Sequence, residues 1–318
     1  MKNEPPNLLN PKKLMNSLKH YLQQQNHSQS SIYQKTRYAK LFTNFLKTEN
    51  LQPEEVKQAE ILAFIEILKS ENKSTQLINT ILRAVKTYYQ YLQQTNPEMK
   101  NPAINQQLRG VRKKMPSDIL TMEKMEEIYQ NYSTETNRQK RNKIMLGLFI
   151  YQAITTEELH KLRPEYINLE KGKIIIPGTR KSNQRQLSLH NFQMIPIQEF
   201  LNITRVQIIR EINKKRPSRK PDKIEIEKIN KQLFISTNGS TNLKPTLLSL
   251  FREIRKNHPE VKNSKQLRNS TIIHKLKTEN LRAVQYFAGH RYISSTERYK
   301  LNNIEELKKD IEKYHPLQ

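Results

Sequence analysis

No cysteine occurs in the 318 residues, and glycine occurs only six times. The first absence excludes disulfides, thiolate metal sites and a cysteine nucleophile, and it fits an intracellular protein. The second goes with the lack of any GxxxxGK or GxGxxG stretch, the phosphate cradles that an ATP-driven or dinucleotide enzyme needs. No apolar run approaches the roughly 18 residues that span a bilayer, and the opening MKNEPPNLLNPKK has no secretory h-region. Acidic residues are also few: 30 Asp and Glu stand against 56 Lys and Arg, a net charge of +26. Such an excess calls for a polyanionic partner, and nucleic acid is the commonest. An AT-rich genome would by itself account for part of the Lys and Asn. The expected location is cytoplasmic, with the chain associated with the nucleoid. Apolar residues are 35% of the sequence and well spread, so cores can form, and the length suggests two domains.

Residues 1–13, with Pro5, Pro6 and Pro11, read as a flexible tail. Residues 14–106 carry four apolar stripes at helical spacing. The first is Leu14, Leu18, Tyr21 and Leu22. The second runs from Tyr33 to Leu46, the third is ILAFIEILKS (61–70), and the fourth runs from Leu77 to Leu92 behind Ser74. Lys35, Arg37, Lys40, Lys73, Arg83 and Lys86 interleave with Tyr33, Tyr38 and Gln76. Singly each is ordinary solvated surface; together they offer a face for DNA. Residues 107–118 (QLRGVRKKMPSD) form a basic linker whose Arg112 and Lys113 suit phosphates. From 119 to 301 the expectation is a helix from Thr121, a buried helix KIMLGLFIYQAI (143–154), then a change of period. YINLE, a Lys171-Gly172 turn and KIIIPG read as a hairpin. TRKSNQR (179–185) is a cationic turn, and QLSLH is a third strand. Helices resume at Asn191 and over 245–256, around a solvated loop at 212–223. The fold class is mainly α with a small three-stranded antiparallel sheet.

Two stretches carry chemistry. SKQLRNST (264–271) puts Lys265 and Arg268 three apart, on one face of a helix. In LRAVQYFAGHRYISSTERYKL (281–301), Gly289 ends a helix and fixes where His290 points, while Ser294 with Glu297 forms a capping box, so that Tyr299 lies in the next helix's first turns. Taken singly, Gly-His is a C-cap and Tyr a packing residue. Taken together, two cations, an imidazole and a phenol suit a phosphodiester.

LRNST followed by AGHRYISSTERY (288–299) resembles the C-terminal signature of the tyrosine recombinases, the phage-integrase and Xer-like site-specific recombinases of mobile elements and chromosomes. There a His-or-Lys-x-x-Arg precedes Gly-His and a Tyr nine residues beyond. The resemblance implies a helical, SAM-like core-binding domain at 14–106 and a mixed α/β catalytic domain at 119–301. It makes Tyr299 the nucleophile that forms a 3′-phosphotyrosyl bond and frees a 5′-hydroxyl. Arg268 would bind the scissile phosphate, and His290 would hydrogen-bond it or take the Tyr proton. Lys265 stands where His is usual. In the slot of a general-acid Lys between strands two and three lies Arg180, beside Lys181; Arg is a poor acid, so Lys181 is the expected one, with Arg180 and Arg185 on DNA. The resemblance implies neither cofactor nor metal. Its implied partners are double-stranded DNA carrying a recombination site, a homo-oligomer that is a tetramer in the synaptic complex, and accessory DNA-bending proteins.

One slot departs. The family's first catalytic Arg precedes x-x-Glu-Leu, and here Thr155 stands before Glu158-Leu159. Such a loss typically costs several kcal/mol of transition-state stabilisation; Arg141, Arg163 and Arg180 are candidate replacements. A catalytically impaired DNA-binding paralogue is therefore an alternative, as are a type IB topoisomerase-like nickase and a basic nucleic-acid-coating protein. Residues 302–318, with Ile304, Leu307 and Ile311 on one stripe, read as an amphipathic helix exchanged between subunits.

Overall fold

The computed structural model describes residues 11–110, 118–214, 229 and 231–299. Arg112, Lys113 and the expected helix at 302–318 lie outside the described residues. The chain divides into two compact units, residues 1–113 and 114–318.

Among its described residues the first unit has four helices: α1 (Pro11–Gln24), α2 (Gln29–Thr48), α3 (Gln58–Ser70) and α4 (Thr75–Leu92). Ser28 and Ser74 cap α2 and α4 by accepting the amides of Ser31 and Leu77. The scarcity of glycine has a structural answer. Asn26, Asn50 and Asn72 follow the first three helices at φ of 55°, 54° and 55°, the left-handed cap position that glycine usually fills. Each is followed by the bond that closes such a cap, as in Leu51 N–H to the Leu46 carbonyl at 2.8 Å. Phe42 is the hub of the core, edge-on to Phe64 at 5.2 Å and to Tyr88 and Tyr89. Asn79 clasps the backbone of Leu108 through both its amide groups, so the chain stays tied to this unit past residue 106.

The second unit is built on α6 (Asn137–Tyr151), whose residues 144–151 are all buried, as its unbroken apolar run requires. Around it lie α5 (Met122–Gln130), α7 (Thr156–Lys161), α8 (Asn191–Glu199), α9 (Arg205–Lys214), α10 (Lys244–Asn257), α11 (Ser264–Thr278) and α12 (Leu281–Ala288). Pro196 sits inside α8, and a π-helical turn at Phe200–Thr204 joins it to α9. Thr121, Thr136, Asn263 and Asn280 cap α5, α6, α11 and α12. Strands β1 (Ile167–Asn168), β2 (Lys173–Ile176) and β3 (Arg185–Ser188) form an antiparallel sheet in that order. Register pairs Ile176 with Arg185 and Ile174 with Leu187. The third strand thus begins one residue earlier than expected. By the two-residue period of a strand, Arg185 points inward with Leu187. No helix among the described residues is long and apolar enough to cross a membrane.

Candidate active site

The site forms where α11, α12, the turn after α12 and the β2–β3 turn meet the end of α6. α11 is buried over residues 266–273, and Thr271 donates to the Ile150 carbonyl of α6 at 2.7 Å. This fixes Arg268, only 8% exposed. Its guanidinium donates to the carbonyls of Ala153 and, at 2.6 Å, Ala288. Two of its five N–H groups are thereby spent on backbone. Burial, only partly opposed by the Glu158 charge, lowers its pKa to about 10, which leaves it a cation at neutral pH. Ala153 holds a left-handed φ of 46°, a strained conformation for a side-chain-bearing residue, at the point where its carbonyl meets Arg268.

α12 ends at Gly289, φ 68°, whose amide bonds back to Tyr286 at 2.9 Å. A Cβ there would overlap the Arg185 guanidinium. His290 follows. It forms an isolated antiparallel bridge with Ser182, next to the bond from Asn183 N–H to the Gly289 carbonyl at 2.9 Å. The cationic turn is therefore laced to the Gly-His segment. Within it, Thr179 accepts the amides of Lys181 and Ser182. The Lys181 and Arg180 side chains are exposed, and the Lys181 ammonium makes no hydrogen bond or ion pair with a described residue. The His290 ring stacks on Tyr299, centroids 6.0 Å apart at 12°, and its Nδ1 lies 2.8 Å from Thr296 Oγ1. Burial first, then Arg268, Arg185 and Arg298, push its pKa down to about 4, with Glu158 opposing, so the ring is neutral near pH 7.

Residues 294–299 are helical. Their first bonds are accepted by the Tyr292 and Ile293 carbonyls, so the helix starts ahead of the expected Ser294–Glu297 box. Tyr299 is 3% exposed and packs with Ala153, Ile272, Ile273, Val284 and Ala288. Its hydroxyl donates to Asn269 Oδ1 at 3.0 Å, and Arg298 lies 5.5 Å over its ring.

The structure thus gathers Arg268, His290 and Tyr299 and lays the Lys181 turn against them. Lys265 stays outside this cluster: it is exposed on the first turn of α11, without a hydrogen bond or ion pair to a described residue. Arg185 is corrected outright. Its side chain is fully buried and paired to Glu158 at 2.6 Å, and its Nε donates to the Phe287 carbonyl at 2.6 Å, so it cannot lie on DNA. The phase it shares with Leu187 and Leu189 was the signal in the sequence. Burial alone would raise the Glu158 carboxyl; Arg185, with Ser182 and the Thr155 amide, outweighs it and holds the group low.

Thr155, in the slot of the missing arginine, caps α7 instead. It accepts the Glu158 amide at 3.2 Å while Glu158 accepts its own amide at 2.7 Å. Of its three candidate replacements, Arg141 is committed to the Ile235 carbonyl and Asn142 in the interior, and Arg163 pairs with Glu165 at the surface. Arg180 is exposed on the turn laced to Gly289 and His290. Asn269, Thr296 and Arg298 went unnoticed in the sequence because nothing local marks them.

In the first unit, Lys35 is half-buried and donates to Thr87 at 3.1 Å, Arg83 donates to the Asn79 carbonyl of its own helix, and Lys73 pairs with Glu71. Arg37 is exposed and Lys86 half-buried.

A helical frame with a small sheet holds a Tyr, a His and an Arg in one cluster behind a cationic turn. The chain belongs to the phage integrase family, which it matches over residues 118–306. It is 22% identical to tyrosine recombinase XerD of Oceanobacillus iheyensis over 83% of this chain and 84% of that one. It is 26% identical to XerD of Rickettsia conorii over 87% and 89%. Among solved structures it is similar to the XerH site-specific recombinase bound to palindromic difH substrate in a post-cleavage complex. There the TM-score is 0.71 at 18% identity, over 95% of this chain and 84% of that one. For the Tn1549 transposon integrase in complex with a circular intermediate DNA the TM-score is 0.62 at 17% identity, over 92% and 99%.

Proposed function

We propose that the chain is a site-specific recombinase or integrase that cuts and rejoins DNA strands through a 3′-phosphotyrosyl intermediate. The observation that carries this is the convergence on one cluster of Arg268 from α11, His290 from just past α12 and Tyr299 from the helical segment that follows. In the proposed reaction the Tyr299 oxygen attacks the scissile phosphorus, the Tyr O–P bond forms and the P–O5′ bond breaks. Lys181, exposed on the turn beside the cluster, gives its proton to the departing 5′-oxygen. Arg268 spends its remaining donors on the non-bridging oxygens as charge builds there. Rejoining is the reverse attack by a 5′-hydroxyl, so the phosphoester energy is kept and neither ATP nor metal is called for. The first unit would serve as the core-binding domain, with Arg37, Lys86 and Arg83 against phosphates. The working assembly would be a tetramer on two sites, with accessory DNA-bending proteins.

One observation favours a second reading, a DNA-binding paralogue with weakened cleavage. Thr155 is consumed as a helix cap, and Arg141 and Arg185 are consumed in the interior, so none of these three serves the phosphate. The deciding experiment offers the full chain a nicked suicide substrate carrying its native recombination site, wild type beside Tyr299→Phe. A covalent adduct with wild type alone is expected; a bound site without an adduct would leave the paralogue reading in its place.

A further inference from the structure

We infer that Thr296 is a positioning residue that holds His290 with its proton on Nε2, making the imidazole a hydrogen-bond donor toward the phosphate and not the base for Tyr299. The phosphate half of this rests on the recombinase reading above; the tautomer half does not.

Thr296 is fully buried, at 0% exposure, in the helical segment that leads to Tyr299. Its hydroxyl has one partner among the described residues, His290 Nδ1 at 2.8 Å. The backbone that carries the imidazole is held in place beside it. The His290 amide donates to the Gln285 carbonyl at 3.0 Å, and its carbonyl accepts from Gln285 Nε2 at 3.1 Å. Its backbone bridges Ser182, and its ring lies parallel to Tyr299. Nε2 makes no hydrogen bond to a described residue.

A hydroxyl has a single proton and two lone pairs. If Nδ1 carried the imidazole proton it would donate to Oγ1, and the buried hydroxyl proton would have no acceptor among the described residues. If Nδ1 is bare, the hydroxyl donates to it and no donor is orphaned. Orphaning a buried donor disfavours the first arrangement by about tenfold. A doubly protonated ring is disfavoured as well, first by burial and then by Arg268, Arg185 and Arg298, which lie on three elements and outweigh the carboxylate of Glu158. That leaves one proton, on Nε2, the nitrogen with no partner among the described residues. The bond on one ring nitrogen sets the role of the other. An Nε2–H cannot accept the phenol proton, which goes to water, and the Tyr299 hydroxyl is itself directed at Asn269.

The test is made on the full-length protein labelled with 15N-histidine, without DNA, with His290→Gln identifying the resonances. Wild type at pH 7 is expected to show a protonated Nε2 and a bare Nδ1 in about nine-tenths of molecules. Thr296→Val, which keeps the shape and removes the hydroxyl, is expected to give mixed tautomers; Thr296→Ser is expected to restore the wild-type pattern. On the suicide substrate, Thr296→Val should then form adduct about tenfold more slowly at unchanged site affinity, with Thr296→Ser within about twofold of wild type. A protonated Nδ1 in wild type, or a tautomer unmoved by Thr296→Val, overturns the inference. The expected tautomer in a protein that binds its site but never forms an adduct overturns the donor role alone.

Discussion

Glu158 and Arg185 give the sharpest test of how the site is held. Both side chains are fully buried and 2.6 Å apart. The other Glu158 oxygen takes the Thr155 amide at 2.7 Å, and Arg185 takes the Phe287 carbonyl beside Gly289. The pair therefore ties α7, β3 and the end of α12 into one piece. Glu158→Gln leaves a buried guanidinium without its counter-charge. Removing one partner of such a pair costs about 3–5 kcal/mol, because the surviving charge stays desolvated. Against a total stability of roughly 5–15 kcal/mol this is a large share. For a unit of this size it lowers the melting temperature by roughly 6–20 °C. Arg185→Met should cost a similar amount for the mirror-image reason. The Glu158→Gln, Arg185→Met double variant should cost clearly less than the sum, with a coupling of about 2 kcal/mol or more. Calorimetry or denaturant titration of the four proteins reads this directly. Single losses under about 1 kcal/mol, or an additive double variant, would show that water reaches the pair and that it does not organise the site.

Two further outcomes follow from the same cluster. The folded pKa of His290, about 4, lies below its ordinary 6.5, so the unfolded chain binds the extra proton between those values. The His290 contribution is whole above about pH 6.5 and fades as pH falls toward 4, by about 3 kcal/mol in all. Denaturant unfolding across that window should show a shallower slope for His290→Gln than for wild type, and equal slopes would refute the shift. Gly289→Ala forces a side-chain-bearing residue into the left-handed region and its Cβ onto Arg185. It should cost more than the roughly 1 kcal/mol of the backbone conformation alone, read as a drop in unfolding midpoint, whereas a near-neutral result would mean the guanidinium yields.

Much of this molecule is legible without coordinates because it depends on neighbours in the chain. The serine, threonine and asparagine caps, the apolar run of α6 and the Gly289-His290 stop are local features. A helix period or a cap operates over only a few residues. The lack of glycine can also be read locally, in the asparagines at 26, 50 and 72 that take left-handed caps in its place. The resemblance drawn from residues 267–299 led to the right family for the same reason: its spacing is short.

What the sequence could not decide is which polar groups meet across long separations. Arg185 read as a cation for DNA until β3 turned it inward to Glu158, 27 residues away. Arg141 looked available for phosphate until the Ile235 carbonyl, 94 residues on, claimed it. Asn269 as the partner of Tyr299, and Thr296 as the partner of a neutral His290, arise only when α11 and the turn after α12 pack on the end of α6. A buried donor must find an acceptor, and in this protein the acceptors lie on other elements. The chain's own order therefore names the candidate groups, while the packing decides their protonation, their direction and which cations stay at the surface.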